Sequence, residues 1–362
     1  MIRLGDVASS RDNNFNLIRA IAATAVLVSH AHPIALGPGT PEPLKALTGF
    51  SLGNISVQAF FVISGFLIAQ SYARSRTRTR FLVARFLRLW PGLIVSILLV
   101  ALVLGPVVTT LAVPDYLSDT GTWAFVLRNI TLLSVQFHLP GVYEDLPYTA
   151  VEGSIWTLLY EVLCYLGLFV LGVLGLLGRP WAMVAVFAAY LALYWGVRIF
   201  DVPLHAKIDN LITLALPFGV GTAFHVWRDR LVLTVWGIAA LGALAWALKG
   251  TPAYAPAFAL ALGYAVFWAA YVPGGVLRAY NRLGDYSYGI YIYAFPLQGF
   301  AVWLWGPMTP WENIALSLPL VLVPSVLSWH LVEKPALDLR GRVVDWLHPG
   351  ERARDVIPDR RV

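Results

Sequence analysis

Ten stretches of this chain are apolar for long enough to cross a bilayer, at 17–36, 54–72, 86–112, 151–177, 180–199, 209–227, 230–248, 254–272, 286–306 and 312–332. A span of hydrocarbon needs roughly 17 to 25 apolar residues, and a backbone inside it must satisfy its own hydrogen bonds. The chain is therefore read as an all-α integral membrane protein, a bundle of about ten transmembrane helices with no soluble domain. An eleventh stretch, 122–137, is interrupted by Arg128, Asn129 and Gln136 and reads as an interfacial or loop helix.

Composition agrees with this reading: 58% of the 362 residues are hydrophobic and 13% are charged. Arginine marks one side of the bundle. Arg74, Arg76, Arg78, Arg80, Arg85 and Arg88 stand between the second and third spans, and Arg179, Arg228, Arg230, Arg278 and Arg282 fall in later loops of the same side. The alternate loops carry Glu42, Asp115, Asp119, Glu144, Asp145, Glu152, Asp201 and Glu312. Short arginine-rich loops stay in the cytoplasm, so both termini are expected there, with the first span retained as an anchor. This topology accounts for most of the net charge of +6, and no nucleic-acid partner is expected. The single cysteine, Cys164, excludes an internal disulfide and reads as a small buried residue. One membrane domain is expected over 1–340, with a short cytoplasmic tail at 341–362.

Ionisable groups inside a span cost at least a few kcal/mol and need a partner, a cavity or a purpose. Arg19 and His30 are eleven residues apart in the first span, about three turns and roughly 16 Å along one helix face. Glu161 lies about ten residues into a span that starts outside, roughly 15 Å deep, at a depth that can match His30. A histidine held by a carboxylate suits general base catalysis on a hydroxyl; a structural polar pair joining two helices is the other reading. Arg85 and Arg88 are three residues apart and share a helix face at the mouth of the bundle, a place for a nucleotide-like phosphate. Arg74 to Arg80 read instead as topogenic and lipid-binding charge. Ser64-Gly65 reads as a helix-packing site. Tyr286, Tyr288, Tyr291 and Tyr293 read as interfacial aromatics near the cytoplasmic face.

In chain order, Arg19 with ten residues before His30, Phe60-Phe61-x-x-Ser64-Gly65-Phe66, Arg85-x-x-Arg88-Leu89-x-Pro91, Ser154-x-Trp156-Thr157-Leu158-x-x-Glu161 and Ser287-Tyr288-Gly289-Ile290-Tyr291 resemble the family-3 membrane acyltransferases. Glu333-Lys334-Pro335 is similar to that family's closing motif, so the resemblance runs from about residue 12 to 340. It implies transfer of an acyl group, usually acetyl, from cytoplasmic acetyl-CoA to a hydroxyl of an extracytoplasmic or lipid-linked glycan, at a bacterial inner membrane. Carried over by motif, His30 is the candidate base, Arg19 its partner in the same helix and Glu161 a pore carboxylate. Arg85 and Arg88 are the candidate CoA contacts, with Ser64 and Tyr288 on the same donor side. Trp156, Ser154 and Glu152 are acceptor-side candidates, and His138 is a further one. No metal and no tightly bound cofactor is implied. The chain departs from many relatives in carrying Ala294 where they have histidine, and no C-terminal extracytoplasmic hydrolase-like domain, such as some of them carry, is expected.

Direct attack of the acceptor on the thioester and an acyl-enzyme through Ser64 or His30 both fit these residues. A transporter or flippase of an anionic glycolipid, with Arg19, His30 and Glu161 lining its path, is the reading from another class. A noncatalytic scaffold in which those groups only join helices is the third.

Overall fold

In a computed structural model, residues 2–40 and 42–347 are described; residues 348–362, most of the expected tail, lie outside them. Helices occupy every predicted span. They are α1 (Phe15–Leu36), α2 (Leu52–Arg74), α3 (Arg78–Leu99), an interfacial α4 (Thr120–Thr131), α5 (Trp156–Val173), α6 (Pro180–Ile199), α7 (Ala206–Val226), α8 (Val235–Ala247), α9 (Tyr254–Tyr271), α10 (Ser287–Trp305), α11 (Pro310–Ser328) and α12 (Arg340–Leu347). A π-helical turn at Val100–Leu104 continues α3 to Val108, and another at Trp329–Glu333 continues α11. Among the described residues the strands are a two-residue antiparallel pair, Ile2–Arg3 with Val232–Leu233.

Seven of these helices are long and apolar enough to cross a membrane. The 13 residues of α8 reach only about 20 Å, short of a full crossing. The outward face is what a bilayer requires: Val103, Val107, Leu166 and Val323 are exposed mid-helix, with Trp181, Trp236 and Trp311 near helix starts. Such a surface belongs in lipid rather than water. Local chemistry starts the helices where loops end. Ser51 caps α2 by accepting from the Asn54 amide, and Thr309 with Glu312 forms a capping box on α11.

The span expected at 151–177 is shortened at its start. Residues 151–155 are irregular chain buried inside the bundle, with Val151, Glu152, Ser154 and Ile155 all closed to solvent, and α5 begins only at Trp156. Irregular backbone survives at such depth because protein groups satisfy it: the Tyr291 hydroxyl donates to the Ser154 carbonyl at 2.7 Å.

Helix α10 is the axis of the molecule. Ten consecutive residues, Ser287 to Pro296, are buried, so its tyrosines are not an interfacial belt. Tyr288 donates to the Leu89 carbonyl at 2.9 Å, Tyr291 meets Thr157 at 2.6 Å, and Gln298 donates to Leu27 at 2.9 Å. The interfacial expectation fails for Tyr288, Tyr291 and Tyr293 because apolar neighbours surround the helix, with polar partners placed opposite each polar tip.

Gly65 is the packing site its sequence context indicates. A Cβ on it would lie 2.0 Å from the Phe218 carbonyl oxygen, and one on Gly221 would lie 1.9 Å from that of Val62, so α2 and α7 cross at backbone contact. Gly65→Val should therefore part the two helices and cost about 1 to 3 kcal/mol. Thermal unfolding in lipid discs checks this, with Gly167→Ala as control because its Cβ would meet nothing within 4 Å. Equal melting temperatures for the two variants would contradict the assigned crossing.

Candidate functional site

Two cavities flank the buried core. The inner one, about 40 Å³, is lined by Arg19, Ser64, Thr157, Glu161, Tyr288 and Tyr291 among others. Glu161 accepts a hydrogen bond from Ser64 at 2.9 Å and a second from the Tyr165 hydroxyl one turn further along α5. Ser64 faces Glu161 while its neighbour Gly65 faces α7, so adjacent residues divide the polar and packing roles.

Glu161 is not paired with His30. Because α5 starts at Trp156, Glu161 falls in its second turn and shares the inner cavity with Arg19 and the first turn of α10. The expected match in depth with His30 is replaced by a match with the arginine end. His30 sits further along α1, its ring edge-to-face on Phe295 at 5.1 Å, and its Nδ1 has no hydrogen-bond partner among the described residues.

Arg19 and Arg88 converge on a carboxylate that motif reading did not single out. Asp285 Oδ2 accepts from Arg19 Nη1 at 2.6 Å and from Arg88 Nη2 at 2.5 Å, while Ser287 donates to Oδ1 at 2.5 Å. Glu333 stands 3.7 Å from Arg88 Nη1 and accepts from Ser328 at 2.9 Å. Arg19 is thus a partner of Asp285 rather than of His30. Burial would push the Asp285 carboxyl up, but Arg19 and Arg88 outweigh it and hold it at about 2. Arg85 points elsewhere: its guanidinium carbon lies 6.0 Å from the ring centres of Phe81 and Tyr165, and its buried Nε is unpartnered among the described residues.

The outer cavity is larger, about 790 Å³, and Trp156, Tyr148 and His138 line it. Ser154 and Glu152 lie beneath it, fully buried. Glu152 accepts from the Ser154 amide at 3.0 Å. Phe295 packs edge-to-face against the His30 ring and against Tyr148, at 5.7 Å. The structure thus gathers Arg19, Ser64, Glu161 and Tyr288 in one cavity, joins Arg88 to Arg19 through Asp285, places Trp156 in the other cavity, and sets His30 against Phe295.

A helical bundle with a lipid-facing apolar surface, a small charged cavity beside buried arginines and a wider cavity beside Trp156 defines a polytopic membrane protein. Comparison narrows the class. Residues 12–331 match the family described as an acyltransferase domain. The chain is 31% identical over 336 residues to the O-acetyl transferase of Shigella phage Sf6, a match covering 90% of this chain and 96% of that protein. It is 29% identical over 376 residues to Nodulation protein 10 of Rhizobium leguminosarum bv. viciae, covering 93% and 96%. No solved structure matches the chain. The chain belongs to the family-3 acyltransferases, and the transporter and scaffold readings give way to an enzyme that transfers acyl groups.

Asp285→Asn removes the shared counter-charge and should destabilise the protein by about 3 to 5 kcal/mol at neutral pH, as breaking a buried pair does. The folded carboxyl sits below its ordinary 3.8, so its contribution is complete above about pH 4 and is lost as pH falls toward 2. Unfolding of wild type and variant in lipid discs should show a constant gap from about pH 5 to 8 that narrows in acid. A gap that widens in acid would contradict the ion-pair assignment.

Proposed function

We propose that this enzyme transfers an acyl group, acetyl in the simplest case, from cytoplasmic acyl-CoA to a hydroxyl of an extracytoplasmic or lipid-linked glycan. The observation that carries this reading is the inner cavity lined by Arg19, Ser64, Glu161 and Tyr288, with Arg88 joined to Arg19 through Asp285 and His30 eleven residues beyond Arg19 on the same helix. CoA is too highly charged to cross hydrocarbon, so its phosphates stay at the arginine end while pantetheine reaches inward. Arg85, with its unpartnered Nε, is the contact best placed for phosphate; Arg88 is held in orientation by Asp285 and Glu333. At about 40 Å³ the inner cavity is too small for a thioester, so donor entry parts the helices around it.

At His30, the imidazole takes the proton of the acceptor hydroxyl as its oxygen attacks the thioester carbonyl carbon. The tetrahedral intermediate collapses to the ester, the carbon–sulfur bond breaks, and the thiolate leaves with the proton His30 returns. Direct transfer needs no covalent enzyme intermediate, and it suits the position of Ser64, whose hydroxyl is spent on Glu161. The positive-side pattern of the loops supports a cytoplasmic arginine end and cytoplasmic termini.

Free CoA release from acetyl-CoA by the protein in lipid discs, with candidate glycans supplied, tests this. Acceptor-stimulated release should fall about 100-fold or more in His30→Ala, and Arg85→Ala should need more acetyl-CoA for half-maximal rate. Unchanged release in His30→Ala would refute the mechanism.

A further inference from the structure

The outer cavity has a charge character that the transfer chemistry does not require. Its ionisable lining groups are Lys207 and His138, and no carboxylate lines it among the described residues. Lys207 is exposed, in the first turn of α7, and spends one N–H on the Leu133 carbonyl at 3.0 Å, leaving two for a ligand. The carboxylate nearest to it on α7, Asp209, is engaged by Arg198 at 2.5 Å. Glu144, on the adjoining loop, accepts from the Gly141 amide at 3.2 Å. His138 is also exposed, with Nε2 3.3 Å from the Thr149 hydroxyl. Around these groups stand Phe137, Tyr148 and Trp156, flat faces on which sugar rings stack. Trp156 is fixed edge-to-face by Tyr160 at 5.7 Å.

A cation in a partly enclosed cavity with no opposing carboxylate attracts anions and disfavours other ligands little. Resting on the acceptor reading above, we propose that this cavity selects an acceptor glycan that carries an anion, held by Lys207 with His138 beside it. Two sources share that chemistry, a sugar carboxylate and the phosphate that joins a glycan to a lipid. The second is represented because the same faces of α5 and α7 continue below the cavity. Leu163 and Gly167 follow Tyr160, and Leu211 and Ala215 follow Lys207, lining an apolar crevice of about 420 Å³ where a lipid tail fits.

Equilibrium binding to the protein in lipid discs, without donor, tests the proposal with three probes. They are a neutral oligosaccharide, the same oligosaccharide bearing one hexuronate, and the neutral one joined to a short prenyl chain by diphosphate. At least one anionic probe should bind about five-fold or more tightly than the neutral one. Lys207→Gln should erase that preference and Lys207→Arg should keep it. Preference for the uronate alone assigns the anion to the sugar; preference for the diphosphate alone assigns it to the lipid link. Equal binding of all three probes, or a preference that survives in Lys207→Gln, overturns the proposal. Because no donor is present, a failure of acyl transfer would count against the proposed reaction and leave this binding result to stand by itself.

Discussion

One carboxylate oxygen organises the arginine end of the molecule. Asp285 Oδ2 takes both Arg19 and Arg88, joining α1, α3 and the approach to α10 at one point, and Glu333 adds the end of α11 through Arg88. Four elements distant in sequence are thereby fixed around the first turn of α10. Two guanidinium groups at a membrane face would repel one another, and burial sharpens that repulsion. A shared counter-ion lets them stand side by side. The π-helical turn at Trp329–Glu333 belongs to the same design. The extra residue in the turn sets Glu333 inward, 1% exposed, while Trp329 lies over Arg88 at 6.0 Å.

From that fixed end the central helix distributes polar groups along its own length. Tyr288 and Tyr291 are buried and each donates to a backbone carbonyl, of Leu89 in α3 and of Ser154 in the chain that dips into the bundle. The second contact is structural as much as functional. It satisfies a carbonyl of irregular backbone that hydrocarbon could not, and so allows α5 to start late and bring Glu161 level with Ser64.

Much of this was legible in sequence because membrane physics is blunt. Apolar runs located the long helices of the bundle, and the interruption by Arg128, Asn129 and Gln136 separated the interfacial α4 from the spans. The Ser64-Gly65 pair showed a packing site, and the motifs singled out Arg19, Ser64, Glu161 and Tyr288 one by one; that the four share a cavity came only from the structure. Depth was where hydropathy failed. Residues 151–155 are apolar enough to extend a span, and only tertiary contacts reveal that they are not helical, which moved Glu161 away from His30. Asp285 was missed for a different reason. It lies at a helix end, where a charge carries no penalty visible in sequence, and its arginine partners are 266 and 197 residues away. Length and polarity also hid the shortness of α8, whose apolar run begins before its helix does.

His30 and its surroundings bring these constraints to bear on chemistry. Many family members carry a histidine at the place of Ala294, and here that position is a closed alanine next to Phe295. The Phe295 ring packs on His30, with Gly153, which lines the outer cavity, so close that a Cβ there would lie 2.3 Å from that ring. Under the proposed reaction, an acceptor hydroxyl that approaches His30 past Gly153 and Tyr148 would meet this ring first. Moving it would draw on the binding energy of a ligand seated in the outer cavity, which a water molecule does not have.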